Sequence, residues 1–169
     1  MIRIVSSMKT LLILRHAKSS WKEASLDDYD RPLNKRGKRD APQVGRLLRK
    51  EDLVPDLILS SSAKRARATA ELVAEESGCE NEVQLSRDLY AASPEAYLEA
   101  LAGLEDGLER VMLVGHNPGL EELLEILTGS YEPLPTAAFA QVQLPIQRWQ
   151  ELSEDTQGKL VKVCRPKEL

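Results

Sequence analysis

The chain has two histidines, and each directly follows an apolar run. His16 comes after Leu-Leu-Ile-Leu-Arg, and His116 comes after Val-Met-Leu-Val-Gly. An imidazole at a strand end can act as nucleophile, acid, base or ligand. A lone histidine is as readily a structural residue, so its neighbours must decide. Arg15 allows two readings. An arginine closing an apolar strand is costly unless partnered. It therefore either pairs with a nearby carboxylate or presents its planar fork to a phosphoryl group.

Buried strands must position these residues. Thr10–Leu14 is a continuous apolar run of the kind buried on both faces of a sheet. Asp56–Leu59 and Val111–Val114 read the same way. Val83–Leu89, the alternating run Ala138–Leu144 and Lys159–Cys164 are further strand candidates. Between them lie helical patterns. Asn34 is placed to cap a helix reaching Lys50, with Ala41, Val44, Leu47 and Leu48 inward and Pro42 near its first turns. Ser61 or Ser62 is expected to cap a second helix to Glu76, which Gly78 ends. Ser93-Pro94 opens a third helix to Leu104. Asn117-Pro118 opens a fourth, with Leu120, Leu123, Leu124 and Leu127 on one stripe and Gly129 at its end. The stretch 145–157 reads as a surface loop with one packed aromatic, Trp149.

Strand–helix alternation predicts a single-domain α/β fold with a mostly parallel sheet and helices on both faces. Ligands in such sheets gather beyond the carboxyl ends of the strands. That rule singles out Arg15-His16, Ser60–Arg65 and Gly115–Asn117.

Composition narrows the function. The 169 residues carry a net charge of −4, against the basic excess that phosphate-gripping nucleic-acid binders show. The basic clusters Lys35, Arg36, Lys38, Arg39 and Lys64, Arg67 read as solvated helix faces. Cys79 and Cys164 have no disulfide framework or metal-ligand spacing around them, which points to a reducing cytoplasm. No run approaches membrane-spanning length. Residues 1–8 read as an N-terminal extension, with the domain proper over 9–169 and Met8 as a possible start.

Four segments together resemble the histidine phosphatase superfamily, which includes phosphoglycerate mutases and acid phosphatases. Leu14-Arg15-His16-Ala17 is similar to its Arg-His-Gly signature, and Leu33-Asn34-Lys35-Arg36-Gly37 to its Leu-Thr-x-x-Gly. The run Ser61-Ser62-Ala63-Lys64-Arg65-Ala66-Arg67-Ala68-Thr69-Ala70 resembles Ser-x-x-x-Arg-Ala-x-x-Thr-Ala. Val114-Gly115-His116-Asn117 resembles the second-histidine motif. The segments Val114–Pro118, Asp30–Asn34 and Leu89-Tyr90-Ala91 look most like the SixA-like phosphohistidine phosphatases.

The resemblance implies a phosphoglycerate mutase-like fold and a phosphatase that needs neither metal nor cofactor. His16 would be the nucleophile and would carry a covalent phosphoryl group. Arg15, Arg65 and His116 would surround the phosphoryl oxygens. Arg65 aligns and Arg67 does not. Lys18 and Ser19 are secondary candidates for substrate contact. Three departures stand out. Ala17 replaces the usual glycine, and Lys22 stands where mutases often have asparagine. No carboxylate occupies Leu89-Tyr90-Ala91, where many relatives keep a glutamate acid; Glu82 and Asp88 nearby read as surface. An acid would then have to come from the 18–32 loop. Without one, a phosphohistidine in a protein domain suits the site better than a phosphate ester, because imidazole leaves more easily than alkoxide. The alternatives are a phosphatase or mutase for small phosphorylated metabolites, and a non-catalytic phospho-ligand binding domain.

Overall fold

The computed structural model describes residues 8–166. The extension expected over residues 1–8 lies outside them except for Met8, which is partly exposed. The strand expected over Thr10–Leu14 extends one residue further at each end, to Lys9 and Arg15.

One sheet of six strands organises the described residues, in the order β3-β2-β4-β1-β5-β6. The strands are β1 (Lys9–Arg15), β2 (Leu57–Ser61), β3 (Gln84–Ser86), β4 (Arg110–Gly115), β5 (Phe139–Leu144) and β6 (Lys159–Cys164). The first four run parallel. The last two are antiparallel additions on the β1 side. The sheet is thus mixed, with the predicted parallel half holding both histidine-bearing strands.

Alternation along β1 divides the core. Leu11 and Ile13 face one side, packing with Val111 and Leu113 of β4 and with α3 (Pro94–Ala102) and α4 (Gly119–Thr128). Leu12 and Leu14 face the other side, packing with Met112, Val114, α1 (Lys35–Lys50) and α2 (Lys64–Ser77). All four residues of β1 have no solvent exposure, which explains the unbroken apolar run.

The helix ends follow their local chemistry with one exception. The Asn34 side chain accepts from the Gly37 amide at 2.9 Å, and the Ser93 hydroxyl accepts from the Ala96 amide. Gly78 and Gly129 adopt left-handed conformations that end α2 and α4. The exception is the start of α2. Neither Ser61 nor Ser62 caps it: β2 continues through Ser61, and Ala63 occupies the cap position. Three further boundaries shift. The strand expected over Val83–Leu89 shrinks to Gln84–Ser86 and passes into a 3-10 turn at Arg87–Leu89. The third helix stops at Ala102, and the fourth begins at Gly119 with no side-chain cap.

The loop after His16 is pinned at its base. The Asn34 amide donates to the Lys18 carbonyl at 3.0 Å, and the Ser20 amide to the Pro32 carbonyl at 2.8 Å. A Cβ at Gly37 would collide with the Lys18 backbone, so glycine lets α1 close on this loop. A 3-10 turn at Asp28–Asp30 sits at the loop's far end. Trp149 in the 145–157 stretch is fully buried, its indole donating to the Leu108 carbonyl. Among the described residues, no helix is long and apolar enough to cross a membrane.

Candidate active site

Parallel pairing of β1 and β4 brings the two histidines together. Arg15 lies opposite Gly115, and the His16 amide donates to the Gly115 carbonyl at 3.2 Å. One step beyond each strand end, the rings of His16 and His116 lie 5.1 Å apart between centroids. β2, on the other side of β4, delivers Ser61 to the same edge, and α2 then presents Arg65 from its first turn. The carboxyl edge of the parallel strands thus brings together the three segments that the rule singled out.

The His16 ring is buried and oriented. Its Nδ1 lies 2.8 Å from the Ala17 carbonyl oxygen, which can only accept. Nδ1 therefore carries the proton, and Nε2 keeps its lone pair as an acceptor. That lone pair faces Arg65, whose Nε is 3.4 Å away. Burial lowers the His16 pKa to about 3, and the charges of His116, Arg65 and Arg15 push the same way against the Ala17 carbonyl. The ring is neutral at physiological pH, in the form that can attack.

His116 is held from the end of β2. The Ser61 hydroxyl accepts from the Ala63 amide and lies 2.8 Å from His116 Nε2, to which it can give its own proton. In that tautomer the neutral ring carries its proton on Nδ1, which is buried with no hydrogen-bond partner. Burial, aided by Arg65, holds the His116 pKa near 4. Behind this residue the buried Tyr97 hydroxyl accepts from the His116 amide at 3.0 Å. A Cβ at Gly115 would strike that phenol, so the glycine before His116 serves this close approach.

Arg15 meets neither of its simpler fates in full. One of its terminal nitrogens donates to the Leu134 carbonyl at 3.2 Å, while its Nε is buried and unpartnered. Glu121 acts on it at longer range, and burial lowers its pKa. Arg15 Nε, and His116 Nδ1 in the tautomer that Ser61 can set, are thus buried donors without acceptors close to His16. Unpaired buried donors are costly in a folded protein. An anion with several oxygens would satisfy both and would gain from the guanidinium charges.

Arg65 is the most constrained member. Its Nη1 donates to the Asp28 carbonyl at 2.5 Å, and its Nη2 to the Asp28 carboxylate at 2.9 Å. The fork end is thus held by Asp28 while the Nε edge faces His16. Thr69, one turn along α2, donates to the Arg65 carbonyl and accepts from the Ala17 amide at 3.0 Å. This threonine ties the loop after His16 to the helix that carries Arg65.

Arg67, by contrast, is exposed and pairs with Glu71. Of the secondary candidates, Ser19 is buried but its hydroxyl accepts from Arg31 at 2.8 Å. The Lys18 side chain is exposed, and the residue's backbone serves the loop base. Glu82 and Asp88 are exposed.

Asp28 is the residue that sequence reasoning did not single out. Its carboxylate accepts from Tyr90, Arg65 and Arg31, at 2.6, 2.9 and 3.0 Å. These bonds, Tyr90's first among them, lower its pKa to about 2. A carboxylate therefore does stand at the site, in the 18–32 loop, but in its ionised form. Arg31, which braces it, also lies 3.4 Å below the ring of Trp21, a side chain that is 72% exposed.

The chain is similar to several known proteins. Residues 11–90 match the model of the histidine phosphatase superfamily, branch 1. An uncharacterised chloroplastic protein of Arabidopsis thaliana is 36% identical over 155 residues, covering 86% of this chain and 71% of its own. A candidate phosphohistidine phosphatase SixA from Agrobacterium tumefaciens superposes with a TM-score of 0.80 at 29% identity, over 94% of this chain and 98% of the other. A second candidate SixA, from Nakamurella multipartitia, has the same fold, with a TM-score of 0.83 at 24% identity over 95% and 97% of the two chains. Both histidine-bearing strands, the bracing arginines and these likenesses lead to one classification: the chain belongs to the histidine phosphatase superfamily, as a phosphatase of its SixA-like branch.

Proposed function

We propose that this protein is a phosphohistidine phosphatase that works through a covalent phosphoryl group on His16. The observation that carries the reading is the state of His16: buried, neutral, with Nδ1–H fixed on the Ala17 carbonyl and the Nε2 lone pair directed at Arg65 Nε, from which it accepts at 3.4 Å. The names borne by the SixA neighbours support the substrate class.

In the first step the Nε2 lone pair attacks phosphorus. The bond from phosphorus to the substrate nitrogen breaks, and its electron pair stays on that nitrogen. Arg15 and His116 donate to the phosphoryl oxygens, and the Nε edge of Arg65 steadies the charge that builds on them. In the second step water attacks the phosphorus on His16. Inorganic phosphate leaves, and Nε2 recovers its lone pair. Fixed cations take the place that a metal ion holds in many phosphoryl-transfer sites. The working compartment we assign is the cytoplasm, from the isolated cysteines.

Leaving-group chemistry sets the specificity. An alkoxide needs a proton from the enzyme, a contribution of roughly 10²–10⁴ in rate. The carboxylate at this site, Asp28, is held ionised and has none to give. Imidazole leaves without such help. The test is kcat/KM for phosphohistidine, p-nitrophenyl phosphate and phosphoserine on one preparation, with and without EDTA. Phosphohistidine should be cleaved fastest, phosphoserine slowest, and EDTA should change nothing. An alkyl phosphate that matched phosphohistidine would replace this reading with a phosphatase for small metabolites. Loss of activity in EDTA, restored by a divalent ion, would overturn the metal-free mechanism.

A further inference from the structure

Beyond the phosphoryl pocket, the side of the site facing solvent is lined by Asp28, Tyr29 and Tyr90. The Tyr90 ring stands edge-on to His116 at 5.5 Å and edge-on to Tyr29 at 5.1 Å. Asp28 sits across Arg65 from His16, within one guanidinium breadth of the nucleophile. Its side chain is 48% exposed, so an incoming group can reach it.

The Asp28 carboxylate is fixed but not saturated. An ionised carboxylate offers about four acceptor positions. Three are used: Oδ2 by Arg65 and Tyr90, and Oδ1 by Arg31. One position on Oδ1 is left beside two aromatic walls. A flat ring carrying an N–H fits that combination, because the tyrosines offer it edges and faces while the carboxylate accepts its proton.

We propose that Asp28 is a specificity-determining residue that accepts a hydrogen bond from the remote ring nitrogen of the substrate's phosphorylated imidazole. The proposal rests on the phosphohistidine reading and assigns the leaving-group side of the same site. Its chemistry mirrors what the enzyme does for its own histidine. His16 keeps a proton on Nδ1, held by the Ala17 carbonyl, so it can give up a phosphoryl group as a neutral ring. A substrate histidine needs the same arrangement. With its remote nitrogen protonated and bonded to Asp28, the P–N bond breaks and the electron pair returns to the other nitrogen. The ring then departs as neutral imidazole rather than as imidazolate, and no proton has to move during the step. A phosphate ester has no N–H to offer, so Asp28 does nothing for it. A leaving group bearing its own carboxylate, as in phosphoserine or phosphoglycerate, is repelled.

The experiment compares wild type, Asp28→Asn and Tyr90→Phe on free phosphohistidine and on p-nitrophenyl phosphate. Asp28 also holds Arg65, so both activities should fall in Asp28→Asn. The informative quantity is the ratio of the two kcat/KM values. A charge-assisted hydrogen bond predicts a ratio lowered roughly ten- to hundredfold in Asp28→Asn. Tyr90→Phe, which keeps the wall and the charge, should lower it less. A wild type without preference for phosphohistidine would remove the functional reading and this inference together. A wild type with that preference, kept within threefold by Asp28→Asn, would overturn the role of Asp28 and leave the functional reading standing.

Discussion

At the scale of the residue, the site depends on proton placement. The proposed role of His16 as nucleophile rests on one carbonyl that fixes its tautomer and on burial that keeps it neutral. His16→Ala should therefore lose all measurable turnover while its circular dichroism stays native. Labelled phosphohistidine, quenched during turnover, should leave an acid-labile and base-stable adduct on His16. An adduct on Ser19 or Cys79, or residual turnover in the variant, would sink the assignment. His16, His116, Arg15 and Arg65 were legible in the sequence, because motif order and strand ends marked them. Asp28 was not. Asp27, Asp28 and Asp30 look alike in a polar loop, and nothing linear says which carboxylate meets an arginine 37 positions away. The Ser61 hydroxyl, which fixes His116, was read as a helix cap for a similar reason: its role is defined by a partner 55 positions on.

At the scale of the element, periodicity carried most of the reading. Six strand candidates and four helices were placed, and the structure contains them all, most of them marked by one buried face or two. The misjudged pieces are those with little burial to mark them. β3 is a short edge strand with mostly exposed side chains, so its apolar pattern was weak. The antiparallel direction of β5 and β6 leaves no trace in periodicity, since a strand alternates either way. The element that most directly serves chemistry is the first turn and a half of α2. Thr69 there accepts from the Ala17 amide and donates to the Arg65 carbonyl. Thr69→Val keeps the shape and orphans a buried amide. It should cost about 1–3 kcal/mol of stability. It should also lower kcat more than it raises KM, since His16 and Arg65 lose their common brace. Denaturation and steady-state kinetics on the variant check both, and unchanged values would show that the brace is idle.

At the scale of the whole molecule, two neutral imidazoles buried beside arginines make the fold sensitive to acid. The sign follows from comparing folded and unfolded states. Unfolded histidines take up protons below about pH 6.5. In the folded chain His116 does so only near 4 and His16 only near 3. The stability these rings allow is thus complete above pH 6.5 and is lost as pH falls toward 4 and then 3. Within that window each ring contributes a slope of up to about 1.4 kcal/mol per pH unit. The urea midpoint should fall steadily between pH 6.5 and 5, and less steeply in His116→Gln. A midpoint flat over that interval would contradict the burial of neutral rings. Asp28 adds its own loss only below its unfolded value near 3.8.

The stacking of Trp21 on Arg31 has an optical consequence. The chain has two tryptophans, one fully buried at position 149 and one largely exposed at position 21. Their emission should separate into a blue component and a red one. The red component belongs to an indole resting on a guanidinium that also grips Asp28, and Asp28 grips Arg65. An oxyanion that binds Arg65 and shifts Asp28 will change the quenching of Trp21 without touching Trp149. The protein thus carries its own fluorescent reporter of site occupancy. Titration with vanadate should alter the red emission with a midpoint equal to the inhibition constant, and Trp21→Phe should abolish the signal. A response that persisted in that variant would place the reporter elsewhere.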